Sequence, residues 1–219
     1  MRTLPLWRTL GFVLTLLCAV PAQAETDPAA VRESFDAYKQ ALMAGDGPTA
    51  SRLTASDTHA FLGETLDRAL TLREEELRGL PLFDQIAVLM LRHNMPADQL
   101  RAMAKDDLVA FAVSQQAFDL AEVEKLSAEP FVVNGDRARA ELSKLKGSPI
   151  PVSVHFREEG GTWRFDLMQS IAPFRAFFEA QAGLLSKVQT SDGKNAVVPL
   201  IIHLFTGRAP GPDIWNPPG

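Results

Sequence analysis

Apolar positions recur at helical spacing through the first half of the chain and alternate in much of the second. Val31, Phe35, Tyr38 and Leu42 lie four, three and four residues apart, which makes one stripe along a helix. Asp27 supplies a capping oxygen, and Pro28 fits a first helical position that needs no amide donor, so the helix is predicted to start there. Gly45-Asp46-Gly47 ends it, and a short second helix is predicted over residues 48–53. From residue 59 to about 116 the period stays helical, with Phe61, Leu66 and Leu70 in one run and Phe83, Ile86, Ala87 and Met90 in another. Pro81 and Pro96 are placed at helix starts. Residues 80–93 are apolar nearly all round, which predicts burial between other elements.

After Gln116 the period drops to two. Residues 120–128 are predicted as a first strand, and Phe131-Val132-Val133 enter a second that turns at Asn134-Gly135-Asp136. Residues 137–145 set Ala138, Ala140 and Leu142 on one face against Arg137, Arg139, Glu141 and Ser143 on the other. Pro149 and Pro151 mark the entry of the next strand at an edge or rim. That strand, 152–157, joins 162–167 through Gly160-Gly161, where both central positions of a two-residue turn can take positive φ. Pro173 opens a helix carrying Phe174, Phe177, Phe178, Leu184 and Leu185, and residues 196–205 form a last one. The tail, 209–219, is too rich in proline for a helix and is predicted to lie extended against the body. The fold class is therefore α+β: a curved antiparallel β-sheet meander packed on N-terminal helices, with a helical insert and a C-terminal helical extension.

The first 24 residues change the picture of location. Arg2 and Arg8 precede an apolar run from Leu10 to Val20, then Pro21 and Ala22-Gln23-Ala24, the pattern of a secretory signal cleaved before Glu25. An eleven-residue run falls short of the ~20 residues that span a bilayer. The expected mature protein is periplasmic or secreted, with residues 25–208 as one domain, an insert at about 58–115 and the tail at 209–219. Cys18, the single cysteine, leaves with the signal, so no thiol, disulfide or cysteine metal site is expected. Removing Arg2 and Arg8 takes the net charge from −5 to −7, which disfavours nucleic acid as a partner. Hydrophobic residues at 46% and charged residues at 22% exclude a disordered or multispanning chain.

The order VRESFDAYKQALMAGDG, helical material, VVNGDRARAEL, PVSVHF and GGTWRFDL resembles the nuclear transport factor 2-like superfamily, which also includes steroid isomerases and dehydratases. The resemblance covers residues 28–54 and 118–170 and rests on the turn Gly135-Asp136-Arg137-Ala138 and the strand Gly161-Thr162-Trp163-Arg164-Phe165-Asp166-Leu167. It implies a long helix packed into a curved sheet, forming a cone with an apolar pocket. The insert and the extension depart from the family pattern and are expected over the cone mouth. The family's general-base aspartate finds no match in this chain.

Strand parity and the helix stripe point Phe35, Tyr38, Val154, Phe156, Trp163 and Phe165 to one interior, the expected ligand pocket. That inward parity carries no Asp, Glu, His or Lys, so no catalytic residue is assigned, and no cofactor or metal is expected. His59, His93 and His203 lack metal-site spacing. On the outer parity His155 faces Asp166 and Arg157 faces Arg164, which reads as a solvated charge cluster on the convex face together with Arg137 and Arg139. The functional expectation is an exported binding or interaction module for a small apolar ligand or a protein partner, a homodimer included. The alternative is an isomerase, dehydratase or hydrolase using the same pocket, with Tyr38 as an orienting hydroxyl and an acid or base from the insert.

Overall fold

A computed structural model describes residues 27–115, 120–143, 152–185 and 197–218. The expected export signal with Cys18, and the strand entry at Pro149 and Pro151, lie outside the described residues.

Helix α1 (Pro28–Ala44) starts where predicted: the Asp27 carboxylate accepts from the Ala29 amide at 2.8 Å, and Gly45 closes the helix in the left-handed region at φ 66°. α2 (Gly47–Arg52) follows, capped by the Asp46 side chain. The insert contributes α3 (Ser56–Thr71), α4 (Glu74–Arg78), α5 (Leu82–Asn94), α6 (Ala97–Ala102) and α7 (Leu108–Ser114), and Pro81 and Pro96 cap α5 and α6 as predicted. Gly47 permits a close crossing of α2 on α7, because a Cβ there would meet the Ala110 carbonyl oxygen at 2.1 Å. No helix among the described residues is long and apolar enough to cross a membrane.

The predicted first strand is corrected. Residues 120–125 are helical, α8 (Leu120–Lys125), and only β1 (Ser127–Ala128) extends beyond it. Six residues carry too little periodicity to separate two from 3.6, and Leu, Ala, Glu and Lys are strong helix formers. The Lys39 ammonium of α1 then donates to the Glu124 and Leu126 carbonyls at 2.6 and 2.8 Å, satisfying acceptors at the end of α8.

The sheet holds β1, β2 (Val132–Asn134), β3 (Arg137–Ser143), β4 (Ser153–Glu159) and β5 (Thr162–Phe165), all paired antiparallel. Its order is β1-β3-β4-β5, and β2 also pairs with β3. Gly160 and Gly161 take φ 61° and 82°, and the register sets Phe156 opposite Phe165 and Arg157 opposite Arg164, as the glycine pair predicts. The chain is thus an α+β protein with an antiparallel sheet against its N-terminal helix, Val31 and Phe35 of α1 sharing one buried cluster with Ala138, Ala140, Val154, Phe156 and Trp163.

α9 (Leu167–Ser170), α10 (Ala172–Leu185) and α11 (Val197–Thr206) complete the α-helices among the described residues. α5 is central to a second cluster, in which Leu82, Ile86 and Leu89 meet Val198 and Ile202 of α11 and Trp215 of the tail. The tail docks on the body but is not wholly extended: residues 212–215 form a turn of 3-10 helix that seats Trp215 at 7% exposure. Proline at the first turn of a helix is permitted, and the burial of one indole stabilises the turn.

Candidate functional site

Five of the six residues expected to line the cone share one cluster. Phe35, Val154, Phe156 and Trp163 belong to one buried cluster, and Phe165 packs against it. Tyr38 departs from the expectation: it packs with Ala41, Ala50 and Val113 and meets the sheet cluster at Phe165, ring centroids 4.7 Å apart. Phe156 sits at the centre, 2% exposed, with Phe35, Phe131 and Phe165 at 6.4, 6.0 and 5.9 Å, all three edge-on. These distances are those of rings in mutual contact, so a molecule entering here would have to part them. Burial pushes the Tyr38 hydroxyl up from its ordinary value, offset in part by its hydrogen bond with Thr54. The polar group the structure pairs with Tyr38 is therefore a hydroxyl, itself tied to the Ala50 carbonyl at 2.8 Å.

The outer face of the sheet departs from expectation. Asp166 is 2% exposed, not solvated, because α9 begins at this residue and folds back over β4. Its carboxylate accepts from the Gln169 amide at 3.0 Å, capping α9, and from the Arg157 guanidinium at 3.2 Å. Arg157 also reaches Asp57 in the first turn of α3 at 2.6 Å. Ser170 accepts from the His155 amide at 3.0 Å and donates to the Asp166 carbonyl at 2.7 Å. The Leu167 amide donates to Thr58 at 3.2 Å. Burial lowers His155 below the usual imidazole value; Asp166 opposes this, and Arg139 and Arg137 add to it. Parity assigned the face correctly, but it carries no information about a helix arriving from elsewhere to cover that face.

On this side of the molecule an open groove of about 610 Å³ runs along α3. Its floor comes from Ser56, Ala60 and Gly63, small residues four and three apart and therefore on one helical face. Gly63 lets the Lys105 side chain lie close, since an added Cβ would approach the Lys105 Cβ at 3.1 Å. α3 starts without a cap from its own segment. The Glu159 carboxylate of the hairpin accepts from the Ser56 amide at 3.1 Å and its hydroxyl at 2.8 Å, which fixes that end of the groove against the sheet. Arg164 joins here, its Nε 3.7 Å from Glu159, shielded from solvent and without a hydrogen bond. His59 lies within hydrogen-bond reach of the Ser51 carbonyl, 3.0 Å from Nε2, so in the neutral ring the proton belongs on Nε2 and the lone pair on Nδ1. At the far end Asp67 pairs with Lys105, Glu64 pairs with Arg68, and Asp106 makes no ion pair among the described residues.

A second open groove of about 420 Å³, lined by Pro48, Met103, Ala110 and Phe111 among others, lies where α2 meets α7. Among the described residues no group of three or more His, Cys, Asp or Glu is placed to hold a metal ion. Sequence reasoning missed the α3 groove. The sequence gives His59 no metal-site spacing and places Arg164 on a solvated face, although the small residues at 56, 60 and 63 are a visible signal. Comparison with protein-family models, with curated proteins and with solved structures finds no match to this chain.

Proposed function

We propose that this chain is an exported binding module of nuclear transport factor 2-like architecture that works through its exterior, with the groove along α3 as the binding site and a small molecule or partner segment as its occupant. The observation that carries this reading is the contrast between the two concave regions. The interior beneath α1 is filled by its own rings, Phe156 touching three of them, whereas the α3 groove is open and lined by groups of both signs. Binding rather than catalysis is favoured by how the acids near the sheet are used: Asp166 caps α9 and holds Arg157, and Glu159 caps α3. The apposition of α1 to an antiparallel meander supports the superfamily assignment, and the basic-apolar-small order of residues 1–24 supports export.

The test is amide-shift mapping of the mature chain with two kinds of probe, a set of small polar fragments and octanoate. The groove reading expects saturable shifts at Ser56, Ala60, Gly63 and Asp106 from a polar fragment, with the Trp163 indole unmoved. Saturable movement of Trp163 and Phe156 by octanoate, with the groove amides still, would return the site to the cone and overturn this proposal.

A further inference from the structure

The α3 groove has opposite charge at its two ends. At the sheet end Arg164 keeps donors in hand: its acid partner among the described residues is Glu159, at 3.7 Å, and that carboxylate is already engaged by the amide and hydroxyl of Ser56. At the other end the charges of Asp67 and Glu64 are matched by Lys105 and Arg68, which leaves Asp106 as the acid without an ion pair among the described residues. Between them the floor at Ala60 and Gly63 has no side chain long enough to compete for a ligand, and His59 with Nε2 committed to the Ser51 carbonyl offers Nδ1 as an acceptor. From Ser56 to Gly63, beside which Lys105 and so the neighbouring Asp106 lie, the helix advances about 10 Å, within the reach of about 11 Å of three extended residues and beyond that of one.

We propose that the α3 groove binds a short peptide with free ends, its carboxylate at Arg164, an amide N–H at His59 and its ammonium toward Asp106. The proposal rests on the groove reading above and deepens it. A carboxylate suits Arg164 because a planar guanidinium can present two parallel donors to it. A free ammonium suits Asp106 because an unpaired surface acid loses least hydration when the incoming charge remains partly wetted. A peptide, rather than a single amino acid, uses the length between the two charges and gives the His59 acceptor a donor.

The experiment is an amide-shift titration of the mature chain with trialanine, its C-terminal amide and its N-acetyl form. Free trialanine is expected to bind saturably, and loss of either end charge to weaken it about tenfold, the scale of one charge-assisted contact. Arg164→Gln is expected to abolish the preference over the amide while leaving the preference over the acetyl form, and Asp106→Asn to do the reverse. Ala60→Leu, an exposed substitution on the groove floor, is expected to abolish binding in a chain that still gives the wild-type spectrum elsewhere. Equal binding of all three peptides, with shifts still at the groove, overturns the end-charge assignment and leaves the groove standing. Binding that survives Ala60→Leu overturns both, and an absence of saturable shifts up to ~10 mM, weaker than any useful peptide affinity, overturns the peptide proposal.

Discussion

The cluster beneath the sheet and the cluster around α5 bury apolar side chains on different terms. Beneath the sheet the backbone polar groups are used up by strand pairing and by α1 itself, so rings can fill the interior without a polar device. Around α5 several helices end inside or beside the packed region, and each end leaves carbonyls without partners. Arg92 answers that need. Its guanidinium donates to the Arg68, Ala69 and Leu72 carbonyls at the end of α3 and to the Ile214 and Trp215 carbonyls of the tail, at 2.6–3.3 Å. Burial pushes it down to about 10, so it stays charged at neutral pH. Arg78 lies 3.8 Å above the Trp215 ring, and Asp84, 8% exposed, sits between Arg68 and Arg175 at 3.1 and 3.3 Å. Strand pairing solves the backbone problem locally, whereas converging helix ends need long cationic side chains from elsewhere in the chain.

The comparison breaks most readily at Trp163. Trp163→Ala removes a buried ring from a cluster with no polar fallback and is expected to cost about 3–5 kcal/mol in urea unfolding. A loss below about 0.5 kcal/mol would mean that the indole faces solvent. On the helical side Arg92→Met keeps the apolar stem and deletes the donors; about 2–3 kcal/mol is expected, with a red shift of Trp215 emission as the tail loosens. Unchanged emission together with unchanged stability would remove Arg92 as the pin.

Tyr38 tests how dry the margin of the sheet cluster is, where it meets Phe165, and it is the only tyrosine in the chain. Its folded value is raised, so its stabilising contribution is complete below about pH 10 and is lost as pH rises through the folded value. Absorbance near 295 nm should therefore titrate later in the native protein than in urea, and Tyr38→Phe should cost about 1 kcal/mol at neutral pH. Coincident titrations in the two states would show the hydroxyl to be wet.

His155 makes the corresponding acid-side test where α9 covers the sheet. Its folded value is depressed, so its contribution is present above the ordinary imidazole value and is lost as pH falls through the folded one. His93 is depressed too, by burial and Arg208, so the difference between wild type and His155→Gln isolates the sheet histidine: the variant should lose less stability between pH 7 and pH 5. Parallel pH profiles would place His155 in water after all. The smallest effect belongs to Leu204, 72% exposed on α11, where Leu204→Ser should change stability by less than about 0.5 kcal/mol. A larger loss would mean that α11 is more deeply packed than its accessible leucine implies.

Much of the sheet region was legible because its signals are local. Asp27-Pro28 and Gly45 state the limits of α1, Gly160-Gly161 sets the hairpin register, and alternation assigns the faces of β3, β4 and β5. Residues 120–125 were misread because six positions satisfy both periods, and α8 is tied down by Lys39, 85 residues away from Glu124. The same distinction separates the two candidate sites. The six cone residues could be listed from parity and a helix stripe, each a property of neighbours in sequence. The α3 groove could not, because Arg164 and Asp106 reach it from separate elements and Glu159 caps a helix that begins 103 residues earlier. Sequence alone determined which faces are apolar, where the first helix and the hairpin turn, and that an antiparallel meander follows a helical half. Tertiary structure alone decided that α9 buries Asp166, that Arg92 pins the tail, and that groups of opposite sign meet beside α3. Hydrophobic periodicity and turn chemistry act between near neighbours, whereas caps, ion pairs and grooves depend on which distant elements end at the same place.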